Sequence, residues 1–176
     1  MPTLHHVGVW DLSTCQRLNR ANHHLIGRIF QTISRLGNGI FWYALILVLP
    51  LVYGTPALRV SLIMAITGLS CTMLYKLIKL SARRLRPCEA YQALLITELP
   101  LDRFSFPSGH TLHAVAFTLV VCWYFPAWAW MLWPFTGLIA VSRLVLGLHY
   151  PSDVLAGAAI GAAVALLGVS VAGTIP

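Results

Sequence analysis

The sequence predicts an all-α integral membrane protein, a helical bundle of about five transmembrane helices with an N-terminal amphipathic helix that lies in the membrane interface. Of the 176 residues, 58% are hydrophobic and only 10% are charged, whereas an average soluble domain carries about 25% charged residues. The mean hydropathy is +0.76, which excludes a disordered tail. Despite the net charge of +7, a nucleic-acid-binding module is disfavoured, because long apolar stretches separate the 12 Lys and Arg residues.

Four charge-free segments locate the membrane spans, since a helix needs roughly 20 apolar residues to cross a bilayer core of about 30 Å. They cover residues 36–58, 60–75, 104–142 and 154–176. The third segment is long enough for two passes, with a turn near Pro126, which lies in an aromatic cluster typical of a membrane interface. The expected spans are about 39–55, 58–80, 109–125, 129–147 and 152–173.

The first 38 residues differ in composition from the rest of the chain. Between Trp10 and Leu36, apolar residues and four arginines recur with a helical pattern, which is typical of a helix that lies in the membrane interface. A poorly ordered tail is the alternative. We therefore expect one domain over 1–176, with an amphipathic segment at 1–38 and a transmembrane core at 39–176.

Polar residues that lack a simple structural explanation gather on one predicted membrane face. The end of the second span and the start of the third lie on the same side, and so do the end of the fourth and the start of the fifth. The parity of the crossings therefore brings together residues 79–87, 107–110, 142–143 and 149–153. We expect these distant segments to build one site.

Lys79, Arg86 and Arg143 supply positive charge to this face. Basic residues at helix ends often extend to the lipid headgroups, and that explanation suits some of their neighbours, Lys76, Arg83 and Arg84. Ionisable residues at the membrane boundary are otherwise functional candidates. The three cations are therefore candidates for binding an anion.

Ser108 and Gly109 begin the third predicted span, next to His110. Ser is a good N-cap, Gly lets a ligand approach the backbone closely, and free N–H groups at a helix N-terminus bind anions. A simple capped helix start would also explain Ser108 and Gly109. It would not explain His110 at the membrane boundary.

His149 and Asp153 are four residues apart at the start of the last span. A carboxylate near a histidine can hold one ring nitrogen and leave the other free to attack, although Asp153 could also be a simple acidic cap. Together with the cations, these residues suit phosphoryl transfer, which needs charge neutralisation, a nucleophile and a proton donor. We assign His149 as the nucleophile that forms a phosphohistidine, Asp153 as its orienting partner and His110 as the general acid.

The other histidines raise the alternative of a metal site. The candidate ligands are His5, His6, His23, His24, His110 and His113. Few carboxylates lie on the site side, and the cations there would repel a divalent ion. We therefore expect neither a metal nor another cofactor.

The polar segments form three complete motifs in order along the chain. They are Lys79-x6-Arg86-Pro87, Pro107-Ser108-Gly109-His110 and Ser142-Arg143-x5-His149-x3-Asp153. This set, over roughly residues 79–153, resembles the signatures of the type-2 phosphatidic acid phosphatase and haloperoxidase superfamily. Within that superfamily, the hydrophobic composition of this chain is similar to that of the membrane branch. It differs from that of the haloperoxidases that hold vanadate, because those proteins look soluble.

The resemblance implies a metal-independent phosphatase that acts on a lipid phosphate or diphosphate. It implies that five residues hold the phosphoryl group, namely Lys79, Arg86, Ser108, Gly109 and Arg143. It implies the roles already given for His110, His149 and Asp153. Candidate substrates are undecaprenyl diphosphate, phosphatidylglycerol phosphate, phosphatidic acid and a lipid A phosphate.

Two alternatives use the same residues. A lipid phosphotransferase would pass the phosphoryl group to a second lipid instead of water. A non-enzymatic transporter of anionic lipids would use the cations alone, and it would not need a His149–Asp153 pair opposite His110.

The positive-inside rule and the family resemblance disagree about which side of the membrane the site faces. Of the Lys and Arg residues, only Arg59 falls on the side away from the site, so the positive-inside rule indicates a cytoplasmic site. The family resemblance implies the opposite face. Membrane members of the superfamily commonly have six spans, and the five expected here correspond to a chain without the first. Residues 1–38 then lie on the active-site side of the membrane. We favour a bacterial inner-membrane protein with its site on the periplasmic face, and the sequence indicates no oligomeric state.

Small residues in the last predicted span form a further pattern. Gly157 and Gly161 have the Gly-x-x-x-Gly spacing that lets helices approach closely. The pattern is compatible with internal packing or with dimerisation.

Overall fold

The computed structural model describes residues 2–91, 93–100 and 102–173, and this part of the chain is helical without a β-strand. The helices are α1 (Pro2–Asn19), α2 (His24–Leu36), α3 (Ile40–Tyr53), α4 (Thr55–Ala82), α5 (Pro87–Ala90), α6 (Gly109–Tyr124), α7 (Ala129–Val145) and α8 (Pro151–Ala172). A 3-10 turn at Pro126–Trp128 joins α6 to α7, where the sequence predicts a turn. The all-α class is confirmed.

Several helices have the length and composition of membrane spans. Among the described residues, three segments can each cross a bilayer, namely α4, Pro126–Val145 and α8. Helices α2 and α3 are bent by 49° to each other and make a fourth candidate if they act as one span. With 14 and 16 residues, α3 and α6 are shorter. The chain is an integral membrane protein.

Helix α6 occupies the centre of the bundle, between α8 and α4. Its close approach to α8 depends on glycine. A Cβ atom on Gly157 would lie 2.5 Å from the carbonyl oxygen of Ser108, and one on Gly161 would lie 2.2 Å from that of Leu112. The Gly-x-x-x-Gly pattern therefore serves packing within this chain.

Helix α1 packs on α7 and α8 through a polar face rather than an apolar one. Asp11, Cys15 and Asn19 recur at four-residue intervals and are all buried. They face the backbone of the α7–α8 connection, where Asn19 donates a hydrogen bond to the Val145 carbonyl at 2.8 Å. A polar face suits this position, because the carbonyl and amide groups of a helix end need partners.

Helix α2 packs on α7 and buries only small residues, Gly27 and Ser34. Its large apolar residues Leu25, Ile26 and Ile29 stay exposed. Helix α2 therefore presents these apolar side chains away from the bundle.

The turn between α6 and α7 marks one end of the bundle. There the indole of Trp128 donates a hydrogen bond to the Tyr53 hydroxyl at 3.0 Å, and Tyr124 donates to the Gly173 carbonyl at 2.9 Å. Arg59, at the start of α4, donates to the Ala172 carbonyl. This end carries aromatic residues and isolated backbone contacts. We call it the aromatic end.

Candidate active site

The opposite end of the bundle contains a cavity of about 940 Å³ into which the predicted polar segments converge. Six of the eight predicted site residues line it, namely Lys79, Arg86, Gly109, His110, Arg143 and His149. They come from the end of α4, the segment after it, the start of α6, the end of α7 and the connection to α8. The parity of the helices thus brings these segments to one face, as the sequence predicts.

Lys79 and Arg86 are joined by a carboxylate that the sequence does not single out, that of Asp102. Lys79 Nζ lies 2.9 and 2.7 Å from the two Asp102 oxygens, and Arg86 Nη2 lies 2.7 Å from Oδ1. Burial alone would raise the pKa of Asp102, but the hydrogen bonds and charges of Lys79 and Arg86 outweigh it and lower the pKa. Asp102 is therefore an anion held in the cationic pocket.

Arg143 is buried at the end of α7. Its Nη1 donates to the Ser34 hydroxyl of α2, and it lies 3.8 Å from the carboxylate of Glu98. Its Nε is buried without a hydrogen-bond partner among the described residues. An unpaired guanidinium N–H beside a cavity is costly, and an anion in the cavity would satisfy it.

Ser108 occupies the N-cap position of α6, but its hydroxyl makes no capping hydrogen bond to the backbone of the helix start. The Ser108 side chain is fully buried and lies 3.0 Å from the Thr111 hydroxyl, so it does not line the cavity. The Ser108 N–H donates to the Asp153 carbonyl at 3.0 Å, which ties the start of α6 to the first turn of α8. Gly109 and His110 face the cavity, and a Cβ on Gly109 would meet nothing nearer than 3.7 Å.

His149 is almost completely buried, with 1% of its surface exposed. Its Nε2 lies 3.1 Å from Arg86 Nη1, so the lone pair of Nε2 faces the cationic pocket. Burial and the charges of Arg86 and Arg143 lower the pKa of His149 well below its ordinary value. The imidazole is therefore neutral, as a nitrogen nucleophile must be.

The predicted pairing of His149 with Asp153 is present as proximity rather than as a hydrogen bond. His149 Nδ1 lies 3.7 Å from Asp153 Oδ2 and has no hydrogen-bond partner among the described residues. Oδ2 accepts the Tyr150 N–H at 2.8 Å. This oxygen therefore caps the start of α8 and lies beside His149 without a hydrogen bond to it.

Arg84 binds the other carboxylate oxygen of Asp153. The expectation that Arg84 extends to the lipid headgroups therefore does not describe this side chain. Arg84 Nη1 donates to Asp153 Oδ1 at 2.8 Å, and Nη2 donates to Asp11 at 2.7 Å. The guanidinium also stacks on the Tyr150 ring at 4.0 Å. Sequence reasoning missed this role because the partner carboxylates are 73 and 69 residues away.

The other histidines do not assemble a metal site in the part of the chain that the structure describes. No group of three or more His, Cys, Asp or Glu residues there could hold an ion. His113 uses both ring nitrogens on α4 and α6, at 2.8 Å from the Gly109 carbonyl and 3.1 Å from the Thr72 hydroxyl. His5 and His6 have side chains outside the described set.

The cavity extends from the polar site along an apolar arm between α3, α4 and α6. Its lining there includes Trp42, Ile46, Met64, Leu69 and Phe117. A single space thus joins a cationic pocket to an apolar channel, which matches the shape and polarity of a lipid with an anionic headgroup.

The comparison with known proteins agrees with this geometry. Residues 56–175, about two thirds of the chain, match the PAP2 superfamily. The undecaprenyl-diphosphatase of Sulfolobus acidocaldarius is 26% identical over 145 residues, which cover 82% of this chain and 69% of that protein. The decaprenylphosphoryl-5-phosphoribose phosphatase of Mycobacterium tuberculosis is 35% identical over 106 residues, 55% of this chain and 52% of that protein.

The lipid A 1-phosphatase of Rhizobium johnstonii is 33% identical over 104 residues. That match covers 54% of this chain and 41% of the relative, so this chain spans about half or less of the length of the latter two relatives.

Two solved structures share the fold. The phosphatidylglycerolphosphate phosphatase of Bacillus subtilis superposes with a TM-score of 0.76 at 21% identity, over 92% of this chain and 84% of that one. Aquifex aeolicus LpxE superposes with a TM-score of 0.74 at 24% identity, over 91% and 94%. The family match, together with the bundle and its converging motifs, shows that the chain belongs to the PAP2 superfamily and is a membrane lipid phosphatase.

Proposed function

We propose that this protein hydrolyses a lipid phosphomonoester or diphosphate without a metal, through a phosphohistidine at His149. The observation that carries the proposal is the position of His149 Nε2, 3.1 Å from Arg86 in a pocket that Lys79 and Arg143 also line. A neutral nitrogen that faces converging cations suits in-line attack on a phosphoryl group.

In the first step, Nε2 of His149 attacks phosphorus and the P–O bond to the leaving group breaks. His110, which lines the same cavity, protonates the leaving oxygen. The charges of Lys79, Arg86 and Arg143 stabilise the equatorial oxygens in the transition state. Asp153 stabilises the imidazolium that forms on His149, 3.7 Å away.

In the second step, His110 removes a proton from water, which attacks phosphorus and breaks the N–P bond. Inorganic phosphate leaves, and His149 returns to its neutral form. The lipid product is an alcohol if the substrate is a monophosphate, or a monophosphate if the substrate is a diphosphate.

Substrate binding involves a change of anion in the pocket. The Asp102 carboxylate contacts both Lys79 and Arg86, at 2.7 Å each. Its side chain is 40% exposed, so it can turn away towards water. A phosphate group offers more negative charge and more acceptor oxygens than a carboxylate, and it displaces Asp102 from the two cations.

The apolar arm of the cavity indicates a lipid tail as the second feature of the substrate. A tail between α3 and α4 would contact Ile46, Met64 and Leu69. The relatives named above act on a polyprenyl diphosphate, a polyprenyl-linked phosphate and lipid A. We therefore propose a lipid phosphate or diphosphate from the same range, with phosphatidylglycerol phosphate and phosphatidic acid as further candidates.

The proposed topology has five crossings, by α3, α4, α6, α7 and α8. Helix α3 connects the two ends of the bundle, because Ser34 just before it contacts Arg143 and Tyr53 at its end contacts Trp128. Helices α1 and α2 then lie on the site side, with the exposed face of α2 in the interface. We propose one domain, placed in a bacterial inner membrane with its site on the periplasmic face.

The test is release of inorganic phosphate by the detergent-purified protein from a panel of lipid phosphates and diphosphates in EDTA. The proposal predicts release from at least one lipid and none from His149→Ala. Activity that EDTA abolishes and one divalent ion restores would overturn the metal-free mechanism. Transfer of label to a second lipid without phosphate release would indicate a phosphotransferase.

A further inference from the structure

We propose that Asp11 of α1 is a positioning residue for the catalytic histidine, acting through Arg84 and Asp153. This inference rests on the proposed function of His149 as the nucleophile. It assigns a role to a helix that lies outside residues 56–175, the part of the chain that matches the PAP2 superfamily.

Asp11 is fully buried and makes contacts with two separate parts of the site. Its Oδ2 accepts a hydrogen bond from Arg84 Nη2 at 2.7 Å. Its Oδ1 accepts the backbone N–H of Ser152 at 2.9 Å, and the Ser152 hydroxyl also donates to Asp11. A buried carboxylate is costly unless it is paired and hydrogen-bonded, and here both oxygens are used.

Arg84 is the link between Asp11 and the catalytic pair. One terminal nitrogen binds Asp11 and the other binds Asp153 Oδ1, at 2.7 and 2.8 Å. The planar guanidinium holds two carboxylates at a set separation, which a lysine ammonium cannot do. Arg84 thus sets the position of the Asp153 carboxylate, whose second oxygen lies beside His149 Nδ1.

Asp11 also orients the first turn of α8 directly. By accepting the Ser152 N–H, it occupies one of the amide groups that a helix start leaves without an internal partner. Asp153 follows in that turn, and its carbonyl accepts the N–H of Ser108 at the start of α6. Two of the three motif segments therefore meet at a turn that α1 holds.

The matched control is Asn19, a second buried polar residue on the same face of α1. Asn19 donates to the carbonyls of Val145 and Leu95 at 2.8 and 3.0 Å. It anchors α1 to the bundle but contacts neither Arg84 nor Asp153. Asn19→Ala therefore measures what loosening the helix does without touching the proposed chain of contacts.

The experiment measures kcat, KM and thermal stability for the full-length protein on a lipid that the wild type hydrolyses. Asp11→Asn is expected to lower kcat about 10- to 100-fold, with KM within about threefold, because the phosphate and tail contacts are untouched. Arg84→Lys is expected to give a similar loss. Asn19→Ala is expected to keep kcat within about threefold while lowering the melting temperature.

The double variant separates positioning from general destabilisation. Asp11→Asn keeps an amide oxygen that can accept the Ser152 N–H, so it changes mainly the contact with Arg84. If Asp11 acts through Arg84, then Asp11→Asn changes kcat less than about twofold in the Arg84→Lys background. An equal loss in both backgrounds, or an equal loss in Asn19→Ala, would overturn the inference. If Asp11→Asn does not fold, wild-type kcat in Arg84→Lys would overturn it as well.

The wild-type measurement distinguishes the two levels of the proposal. Turnover by the wild type with unchanged kcat in Asp11→Asn would contradict the role of Asp11 alone. A wild type that releases phosphate from no lipid would overturn the proposed function, and the inference about Asp11 with it.

Discussion

The two ends of the bundle differ in whether their cationic side chains are buried or exposed. At the site end, Lys79, Arg86 and Arg143 are buried and contact carboxylates, carbonyls or hydroxyls from distant segments. At the aromatic end, Arg59 is exposed and donates to a single helix-end carbonyl. Both ends lie at the boundary of the apolar core, so membrane position alone does not account for the difference.

The difference shows how function can be separated from membrane anchoring. An exposed arginine at a helix end loses little hydration, whereas burying a cation costs several kcal/mol unless partners offset it. At the site end three cations are buried, and Arg143 Nε has no hydrogen-bond partner among the residues that the structure describes. A cluster of this kind is explained by an anionic ligand, and the aromatic end requires no such explanation.

The largest expected effect compares an arginine from each end. Arg143→Lys should lose about 100-fold or more in kcat, because lysine lacks the planar fork that binds two phosphate oxygens. Arg59→Lys should retain wild-type turnover, since its contact with Ala172 is remote from the cavity. Phosphate release by the two purified variants checks the pair. Near-normal turnover in Arg143→Lys would remove Arg143 from the phosphate site.

A second comparison uses two glycines of α8. Gly157→Ala should lower kcat about tenfold and reduce the melting temperature, because the new Cβ would lie 2.5 Å from the Ser108 carbonyl and displace the start of α6. Among the described residues, a Cβ on Gly168 would meet only the Thr67 hydroxyl, at 3.1 Å, which is a looser contact than the one at Gly157 and lies far from the start of α6 in sequence. The turnover of Gly168→Ala should match the wild type. Equal losses from both substitutions would show that α8 packing has no particular connection to the site.

The pH profile tests the state of His149. Attack needs the neutral imidazole, and the lowered pKa keeps it neutral in acid, so the acid limb of kcat/KM should fall below pH 6.5. Activity at pH 5.5 should stay within about threefold of the neutral value, whereas a histidine of ordinary pKa would lose about tenfold. The ionisation of the substrate is measured in parallel. An acid limb at or above pH 6.5 would contradict a neutral, buried His149.

The smallest effect is expected at the aromatic end. Trp128→Phe removes the 3.0 Å hydrogen bond to Tyr53 and should cost about 0.5–1.5 kcal/mol of stability, with kcat unchanged. Thermal unfolding in detergent and phosphate release measure the two quantities separately. A clear fall in kcat would show that the ends are coupled through α3.

The sequence predicts the helices that contain long apolar runs, because their composition and their Pro and Ser caps are local signals. For α8, the predicted start at residue 152 and the observed start at Pro151 differ by one residue. The convergence of the motif residues follows from the parity of the crossings. Those features need no knowledge of side-chain packing.

The remaining features depend on contacts that no local pattern specifies. Asp102 lies in a segment without periodicity, and its role appears only where that segment meets Lys79 and Arg86. Asp11 lies on a helix whose buried face is polar, so a search for an apolar face passes over it. From the sequence, Arg84 looks like a basic residue that reaches the lipid headgroups, and only the fold shows that it binds two carboxylates.

The most direct test of the account is to trap the phosphoenzyme. A radiolabelled lipid phosphate that the wild type hydrolyses is mixed with the protein in EDTA and quenched in base, where phosphohistidine survives. A phosphohistidine mechanism predicts label on His149 that is lost in acid and absent from His149→Ala. Turnover by the wild type with no labelled protein, or label on a residue other than His149, would contradict it.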